Sequence, residues 1–253
     1  MLEADVHAYL RSVAGSGARR VGSFTVRFDE HDDALPFNYA IPDDDSAPTA
    51  QEVAELVAVF RERGRTPRLE YVPAAAPKVE GALLAAGFTQ EDRYPLLVCS
   101  PDDVVDAPVD DGVLKVVLVR EDPELWQVAR VMNEAFEAPE ATEHDVARLR
   151  RMVDGGGLVA AAVDTATGDV AGGGQIGSPY RGVAEVAGIA VRSSYRRRGV
   201  GGAITALLTR AGASAGVTTA FLTPADDRAA QVYARVGYRK MGEALFISLR
   251  QKT

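Results

Sequence analysis

A run of three arginines followed by glycines is the feature that most limits what this chain can fold into. Residues 196–202 read Arg-Arg-Arg-Gly-Val-Gly-Gly, and they lie between a strand-like segment, residues 184–191, and an apolar-periodic helix. A glycine-rich turn at a helix start leaves backbone N–H groups unpaired and lets a ligand approach them closely. The helix dipole and the arginines both favour an anion. The segment therefore predicts a phosphate-binding loop.

The residue spacing inside this loop limits which kind of phosphate ligand it can bind. Neither the GxxxxGK[ST] nor the GxGxxG phosphate motif is present. What remains is Arg-x-x-Gly-x-Gly, formed by Arg196, Gly199 and Gly201. This pattern resembles the acetyl-CoA pyrophosphate loop of the GNAT superfamily, the GCN5-related N-acetyltransferases.

The sequence after the loop extends the resemblance. Residues 218–223 are typical of a buried strand, and a turn and a short helix follow. In GNAT enzymes this segment reads Asn-x-x-Ala, then a helix carrying Tyr, then Gly and an aromatic residue. The positions that match are Ala229, Tyr233, Gly237 and Tyr238, whereas Asp226 stands at the usual Asn position.

The segments before the loop fit the same family order. We predict a strand at 113–119, helices at 123–136 and 141–153, and a hairpin formed by 158–163 and 170–176. The resemblance covers about residues 111–250, with its specific motifs within 184–238. It implies the GNAT fold, of the α/β (α+β) class, with a mixed, mostly antiparallel, twisted sheet flanked by helices.

Residues 1–110 repeat part of this order. The acidic, proline-containing segment 101–111 predicts an interdomain link, and a strand-helix-strand-helix-Gly-aromatic-strand order precedes it. Aligning Gly87 with Gly237 places residues 43–48 where the phosphate loop should be, but their aspartates would repel phosphate. We therefore predict a smaller, degenerate GNAT-like domain at 1–110, without a CoA site, and an acetyl-CoA-binding GNAT domain at 111–253. An unrelated small α/β domain is the alternative for 1–110.

Two residues are candidates for catalysis. The resemblance implies that Glu185 is the general base for the attacking amine, because a glutamate at that place has this role in the histone-acetyltransferase branch. It also implies that Tyr233 is the general acid for the leaving thiolate. A surface carboxylate at a strand end and an amphipathic core aromatic are the respective structural alternatives.

The resemblance also implies how the cofactor is held. Gly188, inside a strand, indicates a bulge or a close backbone approach. In this family the backbone of that strand pairs with the pantetheine arm, as an added strand would. The residues predicted to bind the cofactor are Ile189, Val191, Arg196, Arg197, Arg198, Gly199, Val200, Gly201, Gly202 and Asp226.

Composition excludes several function classes. The net charge of −8 makes nucleic acid a poor partner. The single cysteine, Cys99, allows no intramolecular disulfide and favours a reducing compartment. No apolar run approaches the roughly 20 residues that span a bilayer, and the first residues lack the features of a signal peptide. These features predict a cytoplasmic protein that acts without a membrane.

The function predicted is direct transfer of an acetyl group from acetyl-CoA to an amine. The acceptor is a small molecule or a protein amine, since no shared motif sets it in this family. The three histidines have no metal-ligand spacing, so we predict no metal. The sequence leaves open whether the protein forms a homodimer. A non-catalytic CoA- or acyl-CoA-binding sensor or scaffold is the alternative function.

Overall fold

The computed structural model describes residues 2–15, 17–107, 109 and 112–250. Its helices are α1 (Leu2–Ser12), α2 (Ala50–Glu62), α3 (Val79–Ala85), α4 (Asp122–Ala135), α5 (Glu143–Asp154), α6 (Val200–Gly212) and α7 (Asp227–Val236). Its strands are β1 (Arg19–Val21), β2 (Phe24–Arg27), β3 (Tyr39–Pro42), β4 (Arg68–Tyr71), β5 (Thr89–Cys99), β6 (Leu114–Val119), β7 (Leu158–Asp164), β8 (Val170–Ile176), β9 (Val183–Val191), β10 (Thr219–Leu222) and β11 (Arg239–Ser248).

The chain folds into two compact units. The first comprises the residues up to 96 together with those from 241 onward, and the second comprises residues 97–240. Most of β11 belongs to the first unit, because its residues 245–248 pair antiparallel with β4. The predicted division into domains 1–110 and 111–253 stays a prediction, and residues 110 and 111 themselves lie outside the described residues.

The first unit contains a sheet with the strand order β1-β2-β3-β4-β11-β5. Its strands β3 and β4 are parallel, and α2 connects them. The predicted order of strand, helix, strand, helix and strand is confirmed by β3, α2, β4, α3 and β5. The sequence analysis did not predict α1, β1 or β2.

The second unit contains the strand order β5-β10-β9-β8-β7-β6, to which β5 contributes residues 97–99. Its strands β9 and β10 are parallel, whereas the pairs β10–β5, β9–β8, β8–β7 and β7–β6 are antiparallel. The mixed, mostly antiparallel sheet and its flanking helices confirm the predicted fold class.

Helices cover both faces of this second sheet. A Cβ atom at Gly172 would lie 2.9 Å from a methyl carbon of Val200 in α6, and one at Gly173 would lie 2.8 Å from a methyl carbon of Val128 in α4. Because neighbouring strand residues point to opposite faces, α4 and α6 cover opposite sides of β8. The glycines of β8 therefore let two helices pack closely against one strand.

The interior of the second unit follows the predicted apolar patterns. The apolar spacing of α4 predicts that Leu125, Val128, Val131 and Met132 face inward. The first three are fully buried, whereas Met132 is half-buried. Across the described ranges, no helix has both the length and the apolar character needed to cross a bilayer.

Candidate functional site

The turn between β9 and α6 places a helix N-terminus at the end of a strand. Gly199 is the N-cap of α6 and has a φ of +82°, a left-handed conformation that glycine adopts without steric cost. Arg197 also has a positive φ, of +65°. The N–H groups of the first helical turn lie beyond the helix's own hydrogen-bonding pattern. The turn therefore presents unpaired donors and a positive dipole end to an anion.

The arginines of the turn are held in different ways. Arg196 Nε donates a hydrogen bond to the Val191 carbonyl at 3.2 Å. The Arg198 guanidinium lies 5.4 Å from the centre of the Tyr195 ring. Arg197 is exposed. All three arginines thus lie in the turn that leads directly into α6, where their charges favour an anion.

A tyrosine that the sequence analysis missed supports Arg198. The Tyr195 hydroxyl donates a 2.9 Å hydrogen bond to Asp164 Oδ2 at the end of β7. Asp164 also accepts hydrogen bonds from the backbone N–H groups of Ala166 and Thr167. The bond from the Ala166 N–H, followed by that from the Tyr195 hydroxyl, lowers the pKa of Asp164. The carboxylate that braces Tyr195 therefore stays charged at neutral pH. Asp164 lies 31 residues before Tyr195 in the sequence, so no local pattern indicated this contact.

Two glycines of α6 have different surroundings. A Cβ atom at Gly201 would make ordinary contacts with Ile189 and Val191 of β9, at 3.6 and 3.8 Å. Gly202 is buried, and a Cβ atom there would lie 3.5 Å from Val232 of α7. Gly202, predicted to bind the cofactor, is thus buried where α7 contacts the start of α6.

The strands β9 and β10 part well before this turn. Their parallel pairing runs from Val183 opposite Thr219 to Glu185 opposite Phe221. β10 then continues against β5, with Leu222 opposite Leu97, while β9 continues against β8 as far as Val191. Among the described residues, the later part of β9 is therefore paired on one side. Its other side offers backbone groups to an extended ligand.

A bulge interrupts this later part of β9. The register against β8 shifts between Gly173 and Gln175, and Gly188 has a φ of +64°. The predicted bulge at Gly188 is confirmed. A Cβ atom at Gly188 would meet Met132 Cε, the flexible end of that side chain, so it is the left-handed backbone conformation that favours glycine here.

Tyr233 lies on α7, half-buried, with its ring centre 6.2 Å from that of Tyr238. Burial and the nearby charge of Asp226 raise the pKa of the Tyr233 hydroxyl to about 12. In the described part of the chain, no side chain forms a hydrogen bond that contributes to this shift. The hydroxyl therefore remains protonated and available as a donor at physiological pH.

Glu185 lies where β9 and β10 part. Its neighbour Val186 pairs with Ile176, whose side chain lies 3.2 Å from the Cβ position of Gly212 in α6. Alternation along the strand then places Glu185 on the opposite face, which α4 covers. Glu185 is half-buried.

Asp226 has a structural role. It is the N-cap of α7, and its Oδ1 accepts a 2.7 Å hydrogen bond from the Ala229 N–H. The helix ends at Gly237, which has a φ of +109°. The sequence predicts an N-cap at Asp226 or Asp227 and a helix end at Gly237, whereas a contact of Asp226 with a cofactor stays a prediction. Within the described residues, no group of three or more His, Cys, Asp or Glu side chains is arranged to hold a metal ion.

Comparison with known proteins agrees with this arrangement. The model of the acetyltransferase (GNAT) family matches residues 125–238, which include β9, the turn, α6 and α7. The chain carries a GNAT domain. The search of curated proteins found no match.

Solved GNAT structures share this fold. A GCN5-related N-acetyltransferase from Kribbella flavida superimposes with a TM-score of 0.81 at 23% identity, over 99% of this chain and 96% of that one. A tandem GNAT protein from the clavulanic acid biosynthesis pathway has a TM-score of 0.64 at 17% identity, over 93% and 80%. A GCN5-related N-acetyltransferase from Sphaerobacter thermophilus has a TM-score of 0.59 at 18% identity, over 73% and 59%. At these identities the similarity concerns the fold alone.

Proposed function

We propose that this GNAT protein is an N-acetyltransferase that uses acetyl-CoA and acts in the cytoplasm on a small-molecule or protein amine. One observation carries the proposal: the anion-binding turn lies at the end of β9, next to the open side of that strand. A phosphate-bearing ligand with an extended arm fits this combination. The donors at the start of α6 would hold its phosphates, and the β9 backbone would pair with its arm.

Phosphate binding and acetyl transfer would take place at different positions along β9. Glu185 precedes Val191 by six residues, or about 20 Å at roughly 3.3 Å per residue. The phosphates would therefore lie beside residues 196–202, and the reacting end beside Gly188 and Glu185. When bound, acetyl-CoA would supply an activated acyl group at this end.

Three groups of the chain would perform the transfer. Glu185 would take a proton from the amine, which is otherwise protonated at neutral pH. The amides at the Gly188 bulge would orient the acyl carbonyl. The Tyr233 hydroxyl would donate a hydrogen bond to the sulfur as it leaves.

Turnover of acetyl-CoA, followed by detection of the free thiol across a panel of amines, tests the activity. Calorimetric titration with CoA tests binding independently of the acceptor. Binding at micromolar concentration without turnover on any amine would favour the alternative function, a CoA sensor or scaffold. Absence of binding even at millimolar CoA would contradict both.

Gly201→Val tests the turn directly. The Cβ position at Gly201 makes only ordinary contacts within the protein, so we expect the variant to fold. The branched side chain would nevertheless hinder the approach of phosphate to the start of α6. We expect the KM for acetyl-CoA to rise roughly tenfold or more, a loss of about 1.4 kcal/mol of binding.

Gly81→Val is the matched control, because it adds the same side chain to a helical glycine with open space around it. We expect its KM to equal that of the wild type. An unchanged KM in folded Gly201→Val would contradict the assignment of the turn.

The first unit fills the corresponding position with its own carboxylates. At the start of α2, Glu52 Oε2 accepts a 2.8 Å hydrogen bond from the Thr49 N–H. In the loop before α2, Arg20 binds both carboxylate oxygens of Asp43, and Arg11 binds both of Asp44. Because these carboxylates occupy the position that corresponds to the phosphate loop, they support the proposal that the first unit has no CoA site. We expect one CoA per chain in a calorimetric titration, and two equivalents would contradict this proposal.

A further inference from the structure

The α4 helix places one flexible side chain against the β9 bulge. Met132 Cε lies 2.3 Å, and its Sδ 3.6 Å, from the position that a Cβ atom of Gly188 would take. The Met132 methyl group therefore fills the space that a side chain at Gly188 would occupy. Met132 is half-buried and packs against the apolar interior of the second unit.

This contact lies at the reacting end of the proposed cofactor path. Gly188 follows Glu185 by three residues and lies in the part of β9 that has separated from β10. Next to it on the α6 face, Ile189 fills the available space, since its Cδ1 lies 2.4 Å from the Cβ position of Gly174. On the α4 face, the thioether of Met132 covers the bulge at Gly188.

We propose that Met132 limits the length of the acyl group that the site accepts. This inference rests on the proposed function and names a property of the same site. Methionine is unbranched and adapts its shape, so an acetyl group fits beside it whereas a longer chain must displace it. One methylene in an apolar pocket changes discrimination by roughly 10–200-fold, which is the range that a single side chain can control.

Met132→Ala tests the inference with acetyl-, propionyl- and butyryl-CoA. We expect the ratio of kcat/KM for butyryl-CoA to that for acetyl-CoA to rise at least tenfold, because the shorter side chain opens space on the α4 face. In calorimetry without an acceptor, the ratio of the Kd for butyryl-CoA to the Kd for acetyl-CoA should fall, because the longer acyl group then binds relatively more tightly. Met132→Val provides the same comparison with a smaller change if the alanine variant is unstable.

Met152→Ala is the matched control. Met152 packs against the same apolar interior as Met132, but it lies beside Gly157, with its Cγ 2.9 Å from the Cβ position there. We expect this variant to keep the wild-type ratio within about twofold while losing comparable packing.

The outcomes separate this inference from the proposed function. An unchanged ratio in Met132→Ala, with CoA still bound, would overturn the role of Met132 and leave the proposed function intact. A change confined to the KM of the amine would also overturn it, because Met132 would then line the acceptor side. Failure of the wild type to bind CoA would overturn the proposed function and this inference with it.

Discussion

At the scale of the residue, Tyr233 illustrates how burial changes what a hydroxyl can do. Burial and the charge of Asp226 raise its pKa to about 12, whereas an ordinary thiol has a pKa near 8.5. A phenol that is the weaker acid by roughly three pH units keeps its proton when it meets a thiolate. We therefore expect Tyr233 to stabilise the leaving sulfur by a hydrogen bond, a narrower role than the general acid that the family resemblance implies.

Tyr233→Phe removes this hydroxyl with little change in volume. We expect kcat to fall about a hundredfold, as for other donors directed at a developing anion. The KM for acetyl-CoA should change little, because the lost contact forms only as the bond to sulfur breaks. Steady-state kinetics with chemistry rate-limiting provide the measurement.

Tyr94→Phe, in the first unit, is the control for the loss of a tyrosine hydroxyl and should keep the wild-type kcat. If Tyr233→Phe retained full kcat under the same conditions, the tyrosine would contribute only packing.

At the scale of the element, β8 shows how a run of three glycines in one strand organises the site. Its glycines let α6 lie close to the sheet, and α6 carries the proposed anion-binding turn at its start. Gly202 lies where α7, which carries Tyr233, contacts α6. Close packing of α6 on β8 therefore positions the proposed anion site.

Gly172→Ala tests this arrangement. A Cβ atom at Gly172 would lie 2.8 Å from the Ala190 carbonyl oxygen and 2.9 Å from Val200, so β9 and the start of α6 must both shift. Overpacking of this kind costs about 1–3 kcal/mol. We expect the Tm to fall by roughly 2–10 °C and the Kd for CoA to rise, measured by calorimetry.

Gly81→Ala provides the comparison, because nothing lies within 4 Å of the Cβ position of Gly81 in α3. Alanine is the better helix residue by about 0.5–1 kcal/mol, so this variant should keep or raise the Tm. Equal Tm values for Gly172→Ala and the wild type would mean that β8 and α6 separate easily.

At the scale of the whole molecule, one buried histidine links stability to pH. His7 of α1 is fully buried, with Nδ1 2.8 Å from Asp44 Oδ1. Burial and the charge of Arg11 lower the pKa of His7 from 6.5 to about 4, against the opposing effect of Asp44. The folded protein therefore holds His7 neutral in a range where the unfolded chain binds a proton.

The direction of the effect follows from this difference. The contribution of His7 to the free energy of unfolding is complete above pH 6.5 and is lost as the pH falls towards 4. The full loss is about 3 kcal/mol, of which about 2 kcal/mol is lost by pH 5. Urea unfolding followed by circular dichroism at pH 7 and pH 5 measures it. His7→Gln should show a smaller decrease, and an equal decrease in both proteins would contradict the role of His7.

The sequence predicted much of the site because several of its signals are local. The cap at Asp226, the helix end at Gly237 and the bulge at Gly188 each depend on a few consecutive residues and their backbone conformation. The brace of Tyr195 on Asp164 and the contact of Met132 with Gly188 were missed, because each joins residues far apart in the chain. The helix α1 was missed as well, although its buried side chains help to form the first unit.

The sequence by itself determined the fold class and the glycine-rich turn at the start of α6. Glycines and arginines in seven consecutive residues specify how the backbone of that turn lies and which charge it attracts. Only the tertiary structure decided where β9 leaves β10, which side chain covers the bulge, and that most of β11 joins the first unit. These features depend on pairing and packing between distant segments, and many strand partners satisfy the same local pattern of apolar residues.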